Sequence, residues 1–150
     1  AMKILVLFVL LISFARADEL SDYCAVNNGK IYKKYRCPKT KLNLPIRTCE
    51  YENDFGDLQF VNGCSGPTGG HKKTFFKACI KHDLCYHHEP SSGGLNRKDC
   101  DQLFLKVALK GCQEEALNKK SCRFWANTMY RALRIVGTAA FACSDRPANY

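Results

Sequence analysis

The chain has 150 residues, enough for one domain with a modest core, and ten of them are cysteine. An even cysteine count with no C-x2-C pair argues against a zinc site and for a disulfide framework formed in an oxidising compartment. Lys and Arg outnumber Asp and Glu by 23 to 14, a formal net charge of +9, which favours anionic partners such as phospholipid head groups.

The N-terminus reads as a signal peptide over residues 1–17. Met2-Lys3 is a short basic start, Ile4 to Phe14 is an apolar run too short to span a bilayer, and Ala15-Arg16-Ala17 fits a small-x-small cleavage pattern. Ala1, ahead of Met2, has the look of an artefact. Residues 18–150 are then expected to be a single secreted, extracellular domain, which sets nucleic acid aside as a partner.

Asp18 to Glu52 reads as an irregular arm. Asn27-Asn28-Gly29 is a turn signal, Pro38 and Pro45 interrupt any helix, and Cys24, Cys37 and Cys49 are placed to staple the arm to the body. Tyr51 to Val61 shows no clear period. Asn62 to Gly70, NGCSGPTGG, holds four glycines and Pro67 in nine residues and is a loop with special backbone angles.

A helix is expected over about Phe75 to His88, capped by Thr74, with Pro90 to Gly94 ending it and turning the chain. A second helix starts near Asn96, and the short connection implies antiparallel packing. Cys85 lies about one turn before the end of the first helix and Cys100 about one turn into the second, so the two are at matching heights for a bridge. Ser121 to Ala142 forms a third helical pattern, with Gly137 and Thr138 weakening its second half. The pair His87-His88 is expected at a solvated helix end. The pairing of Cys24, Cys37, Cys49, Cys112, Cys122 and Cys143 stays open.

The chemistry concentrates in Phe75 to Tyr86. His82 and Asp83 are adjacent on a helix and point about 100° apart, so each needs its own partner. An imidazole is suited to take a proton from water near neutral pH. Asp83, facing a glycine-rich loop whose carbonyls can turn inward, is suited to a hard cation such as Ca²⁺. Asp101 is the best candidate to fix the imidazole, because a Cys85–Cys100 bridge brings it near His82.

The run Cys79-Ile80-Lys81-His82-Asp83-Leu84-Cys85-Tyr86, the loop ending in Gly69-Gly70, and Cys100-Asp101 resemble the secreted phospholipase A2 superfamily. The absence of a double cysteine before His82, with only Cys64 in the loop, places the resemblance in the divergent branch of conodipine-like and microbial phospholipases A2. It covers roughly Asn62 to Cys112. The resemblance implies a mainly α, disulfide-rich fold: two antiparallel helices bridged by a disulfide and preceded by a calcium-binding loop. It implies calcium-dependent hydrolysis of the sn-2 ester of phospholipids at a membrane surface. His82 would be the base, Asp101 its partner, Tyr86 a support for that pair, and Asp83 the calcium carboxylate. Aligning the loop without gaps puts the carbonyl ligands on Ser65, Pro67 and Gly69; a shifted register brings in Asn62, Gly63 or Gly66. Cys64–Cys79 would join the cysteines left by the two family departures. Pro67 falls where the common enzymes have a glycine N–H facing the oxyanion, and proline has no N–H. That departure is the one feature favouring the alternative, a catalytically silent toxin or binding protein acting on a protein receptor or channel.

Overall fold

The computed structural model describes residues 18–36, 41–87 and 95–142. The expected signal segment, Cys37, His88, the turn after the first long helix and Cys143 fall outside them. The described residues form four helices and five short strands: α1 (Glu19–Val26), β1 (Lys30–Tyr32), β2 (Tyr35–Arg36), β3 (Asn43–Leu44), β4 (Thr48–Glu52), β5 (Leu58–Val61), α2 (Lys72–His87), α3 (Arg97–Glu114) and α4 (Lys119–Ala142). The fold is mainly α and disulfide-rich. None of these helices is long and apolar enough to cross a membrane.

α2 and α3 are the frame. Three contacts fix them as antiparallel: Thr74 faces Gly111, Phe75 meets Phe104 edge-on at 6.4 Å, and Cys85 is bonded to Cys100. Asn96 caps α3 in a full capping box. Its side chain accepts from the Asp99 N–H, and the Asp99 carboxylate accepts from the Asn96 N–H. α4 packs across this pair, capped by the Asn118 side chain, which accepts from the Ser121 N–H. The central core is built from fully buried Phe75, Phe104, Ala108 and Ala126, with Met129, Trp125 and Leu133 against it. Removing either Phe ring would leave a cavity costing about 3–5 kcal/mol. Gly137 and Thr138 do not end α4, because the helix is held by packing on both sides of them.

The N-terminal third is more ordered than its sequence pattern indicates. Asp18 caps α1 by accepting from the Ser21 N–H, and Arg47 pairs with the Asp18 carboxylate. The hydrogen bond from Arg47, then that from Ser21, lowers the Asp18 pKa to about 2. β1, β4 and β5 form an antiparallel sheet in the order β1-β4-β5, with Cys49 opposite Ile31 on one side and Val61 on the other. A separate two-stranded ribbon pairs β2 with β3. Leu20, Cys24, Cys49, Tyr51, Val61 and Ile80 make a second core, which fastens α1 and the sheet to the outer face of α2.

Four disulfides join described residues: Cys24–Cys49, Cys64–Cys79, Cys85–Cys100 and Cys112–Cys122. They span sequence separations of 25, 15, 15 and 10 residues and tie α1 to β4, the loop after β5 to α2, α2 to α3, and α3 to α4. Two of them bracket the helix that carries His82 and Asp83: one ties its Cys79 to the glycine-rich loop, the other its Cys85 to α3.

Candidate active site

His82 and Asp83 sit in the middle of α2 and are both 6% exposed. The helical turn between them sends their side chains to different neighbours. His82 Nε2–H donates to Asp101 Oδ1 at 2.8 Å across the α2–α3 interface. Asp83 looks the other way, to the chain leaving β5: its Oδ2 accepts from the backbone N–H groups of Asn62 and Gly63, each at 2.8 Å.

Asp101 has no exposed surface and is the most heavily bonded carboxylate among the described residues. Oδ1 accepts from His82 and from the Tyr86 hydroxyl at 2.6 Å; Oδ2 accepts from Arg134 Nη1 at 2.5 Å, with Arg97 Nη1 at 3.8 Å. Burial pushes its pKa up, but the bonds from His82, Tyr86 and Arg134 outweigh it, and the net shift is downward. Asp101 is therefore an ionised acceptor. It holds the imidazole N–H on the Nε2 side and leaves Nδ1 without a protein partner among the described residues. Burial, with the Asp101 hydrogen bond next, raises the Tyr86 pKa, so Tyr86 stays a donor. The Tyr86 and His82 rings are 4.0 Å apart, and Phe104 closes the imidazole's other flank at 6.0 Å.

Asp83 is the opposite case. Burial dominates and raises its pKa to about 7, with the two backbone N–H groups only partly offsetting it. Among the described residues nothing donates to its Oδ1. A buried carboxylate with one oxygen unpartnered is a costly feature that a cation would repair. An all-oxygen donor set of one carboxylate and loop carbonyls is chemically suited to Ca²⁺. Among the described residues there is no cluster of three or more His, Cys, Asp or Glu side chains, so backbone oxygens must supply most of such a site.

His82 and Asp83 open onto a cleft of about 440 Å³ walled by the glycine-rich loop and by α4. Asn62, Gly63, Ser65, Gly66 and Pro67 line it. Gly69 does not. Its φ is +55°, and a Cβ there would fall 2.0 Å from Trp125 Nε1, so this glycine lets the loop lie flat on the indole. The structure thus groups Ser65 and Pro67 with Asp83 and leaves Gly69 apart. Asn62 and Gly63 have their N–H groups committed to Asp83. Gly66 lines the cleft too, and its N–H has no protein acceptor among the described residues.

Three residues at the site lay outside the sequence-based expectations. Arg134 and Arg97 reach Asp101 from α4 and the first turn of α3. His87, expected at a solvated helix end, is 6% exposed, because Tyr35 of β2 packs edge-on against it with ring centroids 5.4 Å apart. It lines the same cleft as His82.

Gly137 lets α4 approach this network. A Cβ there would lie 2.6 Å from the Tyr86 hydroxyl, which its bond to Asp101 holds in place. Ala is favoured over Gly in a helix by about 1 kcal/mol, whereas overpacking costs about 1–3 kcal/mol. Gly137→Ala is therefore expected to be net destabilising by roughly 1 kcal/mol, seen as a lowered midpoint in denaturant unfolding.

Conodipine-P1 of Conus purpurascens is 39% identical to the chain over a 134-residue alignment that takes in 57% of this chain and 75% of the relative. The chain belongs to the conodipine family. Conodipine-P2 and Conodipine-P3 of the same organism are 39% and 37% identical over 62 residues, 41% of this chain and 34% of each relative. No family model matches the chain. No solved structure matches it. Conodipine membership agrees with the branch of the secreted phospholipase A2 superfamily that the Cys79–Tyr86 motif resembles.

Proposed function

We propose that this conodipine is a calcium-dependent phospholipase A2 that hydrolyses the sn-2 ester of phospholipids, releasing fatty acid and lysophospholipid. One observation carries the reading: His82 is held through Nε2 by ionised Asp101 while its Nδ1 is left free at a cleft shared with the unsatisfied carboxylate of Asp83.

In this reading a water at His82 Nδ1 loses its proton to the imidazole as its oxygen attacks the ester carbonyl carbon. Asp101 stabilises the imidazolium. The imidazolium then returns the proton to the departing alkoxide oxygen of the lysophospholipid. Calcium held by Asp83 and backbone carbonyls of residues 62–67 would supply positive charge to the carbonyl oxygen. Pro67 offers no N–H there; Ser65 and Gly66, which line the same cleft, keep backbone N–H groups without a protein acceptor among the described residues and would be the donors for the oxyanion. With one carboxylate, calcium affinity is expected near 10⁻⁴–10⁻³ M, as in extracellular modules.

The proposed partner is a phospholipid surface carrying anionic head groups. α4 walls the cleft with Ala132, Leu133 and Val136, and its outward side exposes Phe124 and Ile135 at 64 and 78% beside Arg123 and Arg131. Apolar side chains ringed by cations suit an anionic interface. Phe124→Glu/Ile135→Glu is expected to weaken binding to anionic vesicles at least about tenfold, since burying each side chain is worth ~1.5 kcal/mol or more. Hydrolysis of a dispersed short-chain ester should change far less. Equal losses on both substrates would count against this face.

Phospholipids labelled separately at the sn-1 and sn-2 acyl chains test the reaction. Calcium-dependent release of only the sn-2 label is expected. No release, together with retained binding to a protein receptor, would favour a silent binding protein, the reading that Pro67 supports.

A further inference from the structure

Asp101 has two oxygens and two sets of donors. His82 and Tyr86 share Oδ1, and the guanidinium of Arg134 takes Oδ2 at 2.5 Å, with Arg97 behind it at 3.8 Å. A carboxylate rotates easily about its last side-chain bond, so donors on one oxygen do not fix the direction of the other. With both oxygens held and no exposed surface, the plane of the Asp101 carboxylate is set.

The arginines are themselves anchored. Arg97 Nη1 also donates to the backbone carbonyls of Leu133 and Arg134, at 3.3 and 3.4 Å. This ties the first turn of α3 to the turn of α4 that carries Arg134. One turn further along, Gly137 lets the Tyr86 hydroxyl lie against the same helix. The stretch of α4 that walls the cleft therefore also holds the partner of His82, some 50 residues along the chain from the Cys79–Tyr86 motif.

We infer that Arg134 is a positioning residue for the His82–Asp101 pair, holding Asp101 Oδ2 so that Oδ1 is presented to the imidazole. This inference rests on the proposed hydrolysis for its kinetic consequence, but not for its structural one. Displacement of a positioned group by about 1 Å is enough to cost on the order of 10²-fold in rate. A lysine in this place keeps a cation on Oδ2 but loses the planar fork.

The test is proton NMR of the imidazole N–H together with steady-state kinetics, on wild type, Arg134→Gln, Arg134→Lys and His82→Gln. Wild type should show a far-downfield, slowly exchanging His82 Nε2–H resonance that is absent from His82→Gln. Arg134→Gln should lose that resonance or move it upfield, with kcat reduced about 10- to 100-fold and KM little changed. Arg134→Lys should keep the resonance and recover most of kcat. An Arg134→Gln protein with unchanged resonance and kcat, and only a lower melting temperature, would overturn the inference. If Arg134→Gln does not fold, Arg134→Met takes its place: an unchanged resonance and kcat there also overturn the inference. A wild type that shows the resonance, with Arg134 dependence, yet releases no fatty acid would overturn the phospholipase reading and support the role of Arg134.

Discussion

His82→Gln is expected to reduce phospholipid hydrolysis by about 10³-fold or more while leaving the fold intact. General-base catalysis by a positioned side chain contributes on the order of 10²–10⁴-fold, and the glutamine amide has no lone pair able to take a proton at neutral pH. The fold should survive because the amide NH₂ can still donate to Asp101 Oδ1, the bond that His82 makes at 2.8 Å. Removing that donor altogether, as in His82→Ala, would leave a buried carboxylate short of a partner and confuse a loss of chemistry with a loss of structure. Fatty-acid release and the thermal midpoint, measured on the same preparation, separate the two. A variant with substantial remaining turnover would show that His82 is not the base.

Asp83 is expected to give effects of opposite sign on activity and stability. With no cation bound, burial holds its pKa near 7, against 3.8 for a free carboxyl. Below about pH 4 the group is protonated in both folded and unfolded chains and contributes nothing. As pH rises from about 4 to about 7, the unfolded chain releases its proton and the folded one keeps it, so stability falls. Above pH 7 the deficit is constant at roughly 4 kcal/mol, taking about 1.4 kcal/mol per pH unit. Asp101, whose pKa is lowered, acts only below the free-carboxyl range, where its contribution is lost on acidification, so the two windows do not overlap.

Calcium favours the ionised form of Asp83. It should therefore raise the melting temperature strongly at pH 8 and little at pH 5. Asp83→Asn should remove the calcium response and most of the hydrolysis, yet melt several degrees above the chelated wild type at pH 8. Calorimetry at the two pH values, with calcium and with chelator, checks each part. A calcium response that persists in Asp83→Asn would remove Asp83 from the metal site.

Both predictions rest on residues that stand out in the sequence, and the reason is local. His82, Asp83, Cys85 and Tyr86 lie within two helical turns, and the Asn96 cap fixes where the next helix begins, so the register of Cys100 and Asp101 follows. The supporting shell was not legible in that way. Arg134 lies 33 residues beyond Asp101 in a stripe of mixed Arg, Ala and Leu, and only the packing angle of α4 decides which arginine points inward. His87 sits at the end of a helix, where solvent is the ordinary neighbour, and its burial depends on Tyr35 arriving from a ribbon 52 residues earlier.

In the N-terminal arm the signals were present but short. Asp18 before Leu20 and Cys24 marks a helix of only two turns. Asn53 to Gly56 supplies the turn between β4 and β5, where Asn53 Oδ1 accepts from the Phe55 and Asp57 N–H groups. The pairings Cys24–Cys49 and Cys112–Cys122 were open because sequence spacing alone does not distinguish the possible partners. Gly69, reached in the sequence only by counting along the loop, is required where it stands by its contact with Trp125.

The central claim is that this constellation performs calcium-dependent ester hydrolysis. Its most direct measurement is fatty-acid release from anionic phospholipid vesicles as calcium is titrated from chelator to several millimolar, with wild type and His82→Gln in parallel. Release by wild type is expected to rise with calcium, half-maximal at roughly 10⁻⁴–10⁻³ M, with near-background release by the variant. Release by wild type that is unchanged in chelator, or no release above His82→Gln at any calcium concentration, would contradict it.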